Sequence, residues 1–191
     1  LSGKYRPYSE CISRSGTRDL RDWTSFSPKR GNRLKSDIPL IGADATPELV
    51  FERLFNAPAK SVFRAWTDPM RLVQWWGPHG FRTTVESMDV RVGGTWSYVL
   101  HGPDGTQYPN TAVYEVLEPP HRLVFRNTGG HVRDKHLTCR MVVTFVEIQE
   151  QTQVTLRMQF QSIDRLESAK QQGAVEGGKQ SFEKLNAVLL R

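Results

Sequence analysis

From Phe81 to Phe160 the chain alternates apolar and polar residues with a period of two, and beyond Phe160 the period becomes that of a helix. Phe81, Thr83 and Val85 share one parity, and Met88, Val90 and Val92 the other, which predicts a bulge near Ser87. Trp96, Tyr98 and Leu100 follow Gly93-Gly94. Ala112, Tyr114 and Val116 come after the turn signal Gly102-Pro103-Asp104-Gly105, and Leu123 and Phe125 after Pro119-Pro120. Leu137, Cys139, Met141, Val143 and Phe145 form one apolar face, and Val154, Leu156, Met158 and Phe160 another. Strands with one apolar and one mostly polar face belong to an antiparallel sheet covered on one side. The predicted cover is the C-terminal segment, where Val175, Gly178, Phe182, Leu185 and Leu189 step by three and four along one helical face.

Upstream, Glu48–Phe55 is rich in strand formers, and Asn56-Ala57-Pro58 reads as a helix start with Pro58 in the first turn. Val62, Phe63 and Trp66 recur at helical spacing. Asp68-Pro69 ends that helix and caps a second one carrying Met70, Leu72, Val73 and Trp76, which Gly77-Pro78 stops. The fold class is therefore α+β: a strand, two short helices, about six further strands, then a long C-terminal helix. A curved antiparallel sheet wrapped around that helix leaves a cavity between them, a common place for small-molecule sites. Gly173, Gly177 and Gly178 are expected inside the last helix, where each costs roughly 1 kcal/mol against alanine.

Residues 1–46 show no sustained period and read as a disordered basic extension, leaving 47–191 as the folded domain. This extension holds nine Lys/Arg against five acids, so it carries +4 of the chain's +6. The domain is nearly balanced in charge, which argues against a nucleic-acid partner. No apolar run reaches membrane-spanning length and no secretory signal is visible, so no membrane partner and a cytoplasmic location are expected. The two cysteines, Cys11 and Cys139, lie in different segments, which fits a reduced setting.

The run Val62-Phe63-Arg64-Ala65-Trp66-Thr67-Asp68-Pro69 and the following Leu72-Val73-Gln74-Trp75-Trp76-Gly77-Pro78 carry a family resemblance. So do Asp89–Trp96, Glu115–Phe125, and Val175-Glu176-Gly177 with Gln180-Ser181-Phe182. Together these motifs resemble the AHSA1-like (activator of Hsp90 ATPase homologue 1-like) family of the SRPBCC, START or Bet v 1-like superfamily. The resemblance covers nearly all of 48–191 and implies the helix-grip fold. It implies no single activity, because the superfamily includes carriers, receptors and cyclases. The sequence departs from the family where a tryptophan often follows the Glu-Gly of the last helix, since Gly178 stands there. Either the interior is enlarged at that point or a bulkier neighbour fills the space.

The expected function is binding of a small apolar or aromatic molecule in the cavity, with no cofactor and no certain chemistry. A cyclase- or hydrolase-type enzyme using the same cavity and an Hsp90 co-chaperone-like interaction protein are the alternatives, and a homodimer is left open. Expected cavity residues are Trp66, Trp75, Trp76, Trp96, Tyr98, Tyr114, Phe125, Met141, Met158, Val175, Gly178 and Phe182. The competing explanation for each aromatic is plain core filling. No catalytic residue is assigned. His79 and His101 are the candidate bases, although both also read as solvated loop residues. His131, Asp134, His136 and Cys139 have metal-ligand chemistry but poor spacing, and no metal site is expected.

Overall fold

The computed structural model describes residues 46–130 and 138–191. The extension up to residue 45 lies outside the described residues, as do Cys11, His131, Asp134, His136 and Leu137. Strand β1 (Glu48–Phe55) leads into helices α1 (Ala59–Thr67) and α2 (Pro69–Leu72). Six strands follow: β2 (Arg82–Met88), β3 (Thr95–His101), β4 (Gln107–Glu118), β5 (Arg122–Gly129), β6 (Thr138–Ile148) and β7 (Gln151–Phe160). Helices α3 (Ile163–Gln171) and α4 (Ala174–Leu189) complete the chain. The strands form one antiparallel sheet in the order β1-β7-β6-β5-β4-β3-β2, which is the helix-grip arrangement.

The alternation read from the sequence is the alternation of burial. Along β6, Cys139, Met141, Val143 and Phe145 point into the core, while Thr138, Arg140, Val142 and Thr144 are only partly covered. Two register shifts bend the sheet, one between Val85 and Ser87 as expected, and one between Tyr114 and Val116. Strand β2 stops at Met88. Val90 and Val92 do not continue it; they sit exposed in the turn before β3.

The short helices are fixed by specific caps. Asp68 closes α1 and opens α2, where its carboxylate accepts from the Met70 N–H at 3.0 Å. Pro58 is the N-cap of α1, not a first-turn residue, and it has no side chain with which to cap. Glu147 at the end of β6 substitutes, accepting from the Ala59 N–H at 3.1 Å and placing negative charge at the positive helix end. The Trp75 indole donates to the Ala65 carbonyl at 2.9 Å, tying the segment after α2 back onto α1.

The C-terminal cover differs from the expected single helix. Gly173, at φ 82°, adopts a left-handed conformation that breaks it into α3 and α4. Gly173 is therefore a hinge between helices, not a residue inside one. The preceding helix α3 had no sequence reading. Its apolar stripe is thin, with Ala169 alone fully buried.

Candidate functional site

Between the concave face of the sheet and helices α1 and α4 lies a continuous wall of aromatic rings. Trp66 on α1 meets Trp75 and Trp76 edge-on, with centroids 4.7 and 5.6 Å away. Trp76 lies 5.5 Å from Trp96, which stacks on Tyr98 at 4.3 Å with the planes 21° apart. Phe125 lies 5.8 Å from Trp96 and 6.2 Å from Tyr114. Phe182 on α4 faces Trp66, Phe51 and Phe55.

The fold thus brings together Trp66, Trp75, Trp76, Trp96, Tyr98, Tyr114, Phe125 and Phe182 from the sequence-based set, and none is more than 9% exposed. Met141 is buried beside them, and Met158 packs partly buried against the same core. Val175 is half-buried near the start of α4. Gly178 faces the sheet, but its space is occupied. A Cβ placed there would overlap the ring of Phe51 on β1. Of the two explanations for the missing tryptophan, the bulkier neighbour is the one this structure presents, and Phe51 is the residue the sequence reading had not singled out.

A buried polar ladder runs along one end of this interior. The Tyr98 hydroxyl donates to Asn127 Oδ1 at 3.1 Å, and Asn127 Nδ2 donates to Asn110 Oδ1 at 3.2 Å. Asn110 Nδ2 in turn donates to the Tyr108 carbonyl at 2.8 Å. Neither asparagine was foreseen, although their positions on the inward parity of β4 and β5 were readable. Burial pushes the Tyr98 and Tyr114 phenols above the usual range and the Cys139 thiol up to about 12, so all three stay protonated at neutral pH.

Three other polar atoms of the interior have no hydrogen-bond partner among the described residues: Trp66 Nε1, Trp96 Nε1 and the Tyr114 hydroxyl. All are shielded from solvent, and the rings that carry them belong to the same connected wall.

The hydrogen bonds and ion pairs of the two candidate bases are with residues other than the rings of this wall. His79 sits in the segment between α2 and β2, with Nε2 3.6 Å from the Glu183 carboxylate of α4. Its backbone N–H donates to Gln180 Oε1 at 2.9 Å. Lys184 Nζ donates to the Gly77 carbonyl at 3.1 Å, and burial lowers its pKa. Three side chains of α4 therefore strap down the segment that follows Trp76. His101 bonds Thr84 Oγ1 at 2.8 Å on the convex side. Of the four potential metal ligands only Cys139 is among the described residues, where no cluster of such groups occurs.

An open cleft of about 420 Å³ lies between α2 and the edge strand β2, lined by Pro69, Met70, Val73 and residues 82–88. None of the sequence-based site residues lines it. No helix among the described residues is long and apolar enough to cross a membrane.

Residues 56–190 match the family model described as Activator of Hsp90 ATPase homolog 1-like protein. Among solved structures the chain is similar to protein Ms6760 of Mycobacterium smegmatis, at 26% identity over 75% of this chain and 91% of that one, with a TM-score of 0.68. A protein from Arthrobacter aurescens is likewise 26% identical, over 76% and 87% of the two chains, with a TM-score of 0.71. The AHSA1 protein of Silicibacter pomeroyi shares the fold at 22% identity, over 75% and 97%, with a TM-score of 0.63. A comparison with curated proteins gives no match.

Proposed function

The chain belongs to the Activator of Hsp90 ATPase homolog 1-like family, and we propose that it binds a small apolar or aromatic molecule between the sheet and the helices. The observation that carries this reading is the set of three buried polar atoms, on Trp66, Trp96 and Tyr114, that have no hydrogen-bond partner among the described residues. Leaving such a group unpaired costs about 1–3 kcal/mol, a cost that phenylalanine at the same positions would avoid. A ligand that enters the wall and bonds these atoms recovers that cost. The rings, at most 9% exposed, close on one another in this structure, so entry requires them to part. The strap between Gly77 and Gly80 is the cover this reading assigns to the entrance, because Trp76 immediately precedes it and three side chains of α4 hold it.

Binding is favoured over catalysis by the chemistry of the interior. The buried polar residues among those described are Thr83, Asn110, Asn127, Thr152 and Ser181, none of which titrates near neutrality. The phenols and the thiol are held protonated, and the histidines lie elsewhere. The open cleft beside β2 contains none of the three unpaired atoms.

Native mass spectrometry of protein purified from its own source tests the proposal. The expected result is a co-purifying small molecule that is released on denaturation and that quenches tryptophan fluorescence saturably when added back. A ligand-free protein whose fluorescence no planar aromatic compound quenches saturably would overturn it.

A further inference from the structure

The unpaired atoms are not a mixed set. An indole N–H can only donate, and Trp66 and Trp96 contribute two of the three. The third, the Tyr114 hydroxyl, can donate as well. The side-chain oxygens of the polar ladder, by contrast, already have donors: Asn127 Oδ1 accepts a hydrogen bond from the Tyr98 hydroxyl and Asn110 Oδ1 accepts one from Asn127 Nδ2. The Trp75 indole has also found an acceptor, the Ala65 carbonyl. Among the described residues, the unmet hydrogen-bonding capacity of the interior is that of donors.

The interior also lacks a countercharge. None of the buried polar residues among those described is ionised, and an ion taken from water into such a site without a partner is strongly disfavoured. The rings themselves set the shape. Trp96 and Tyr98 lie face to face while Trp66, Trp76 and Phe125 present edges, a wall suited to a flat ring system. An N–H directed at a neighbouring ring face regains only part of a hydrogen bond.

We infer that the ligand is a neutral, planar molecule bearing hydrogen-bond acceptors, such as a ring ketone or lactone, and not a hydrocarbon or an organic ion. This rests on the interior being the binding site. The full-length chain is titrated with four two-ring probes of similar size, namely chromone, naphthalene, 2-naphthoate and 1-naphthylmethylammonium. Binding is followed by tryptophan fluorescence and by the indole N–H signals of a nitrogen-15-labelled sample. Chromone is expected to bind at least about tenfold more tightly than the other three, the worth of one well-made hydrogen bond, and to shift two indole N–H signals. Tyr114→Phe, which keeps the ring, is expected to weaken chromone by about fivefold to tenfold and leave naphthalene unchanged.

Naphthalene or either ion binding as tightly as chromone would overturn the ligand class while leaving the interior as a binding site. An unchanged chromone affinity in Tyr114→Phe together with unmoved indole signals would place chromone outside the interior and overturn the site as well as the ligand class. The absence of a saturable response to any of the four removes the binding site and the ligand class together.

Discussion

The ring of Phe51 on β1 occupies the space that a side chain at position 178 of α4 would need. Phe51 is itself buried and meets Phe182 at 6.3 Å, so it has little room to withdraw. Gly178→Trp is therefore expected to overpack the contact and destabilise the fold by about 1–3 kcal/mol, even after removal of a helical glycine. Combining Phe51→Ala with Gly178→Trp should recover much of that loss, because one change empties the space the other fills. Thermal melts of the two single variants and the double variant measure the coupling. An additive result would mean that the residues do not compete.

Tyr98 and Tyr114 are both buried phenols, but among the described residues only Tyr98 has a hydrogen-bond partner. Tyr98→Phe removes the proton that Asn127 Oδ1 accepts and strands a buried acceptor, so a loss of about 1–3 kcal/mol is expected. Tyr114→Phe removes a hydroxyl that bonds to nothing among the described residues and is expected to be neutral or to stabilise the unliganded protein by about 1 kcal/mol. Denaturant unfolding of the two variants side by side checks the contrast. Equal destabilisation would show that the Tyr114 hydroxyl has a partner after all.

The convex face supplies an acid-sensitive term. Glu115 accepts from Arg140 Nε at 2.6 Å and Arg126 Nη2 at 2.7 Å. The Arg140 hydrogen bond, with the charges of both arginines, holds its carboxyl below the usual glutamate value. Between the two values the unfolded chain binds more protons than the folded one. The stabilisation is thus complete above the unfolded value and is lost as pH falls through the folded one. The pair is partly solvated, so its contribution is about 1 kcal/mol or less. Glu115→Gln should lower Tm at neutral pH, and the gap from the parent should close on acidification. A gap that does not change with pH would assign the effect to packing.

The sheet was legible because its inward parity is almost uninterrupted from Trp96 to Phe160, and a period of two has no other economical meaning. The second bulge escaped notice because Val116 and Leu117 are both apolar, so the switch of the inward position to Leu117 leaves no mark in the pattern. Helix α3 was missed for a related reason: with one fully buried residue it has too narrow a stripe to stand out. The aromatic members of the site could be named in advance because large rings on inward positions must meet. Which of their polar atoms go unpaired depends on side-chain geometry that no spacing encodes. Phe51 against Gly178 joins the first strand to the last helix, a contact made by closure of the fold and not by any local pattern.

Strand β1 sets where the chain can be shortened. Its ladder with β7 runs from Glu48 to Phe55, and just before it the Pro47 carbonyl accepts from the Phe160 N–H at 2.8 Å. A chain beginning at Thr46 keeps every one of these contacts and should melt cooperatively at nearly the Tm of the full chain. One beginning at Asn56 loses Phe51 and Phe55 from beneath Phe182 and should not fold. Burial of two such rings amounts to several kcal/mol, comparable with the whole stability of a domain. Differential scanning calorimetry of both truncations decides. A substantial loss of Tm on removal of residues 1–45 would place part of the fold in that extension.

The strap after Trp76 is tied to α4 through side chains of the helix. The His79 N–H is held by Gln180 Oε1, an exposed contact between residues 101 positions apart. Because the site is exposed, water can replace the side chain at little cost, and Gln180→Ala should change stability by about 0.5 kcal/mol or less. Local opening is another matter. The remaining ties to α4 among the described residues are the Lys184 bond to the Gly77 carbonyl and the loose His79–Glu183 pair. Removing one of three should raise the population of the open strap and speed amide exchange at His79 without affecting the β6–β7 ladder. If the strap covers the way into the aromatic wall, ligand association should quicken in the same variant while the equilibrium affinity changes little. Hydrogen exchange and stopped-flow quenching measure the two effects separately. Faster exchange with an unchanged association rate would move the entrance elsewhere.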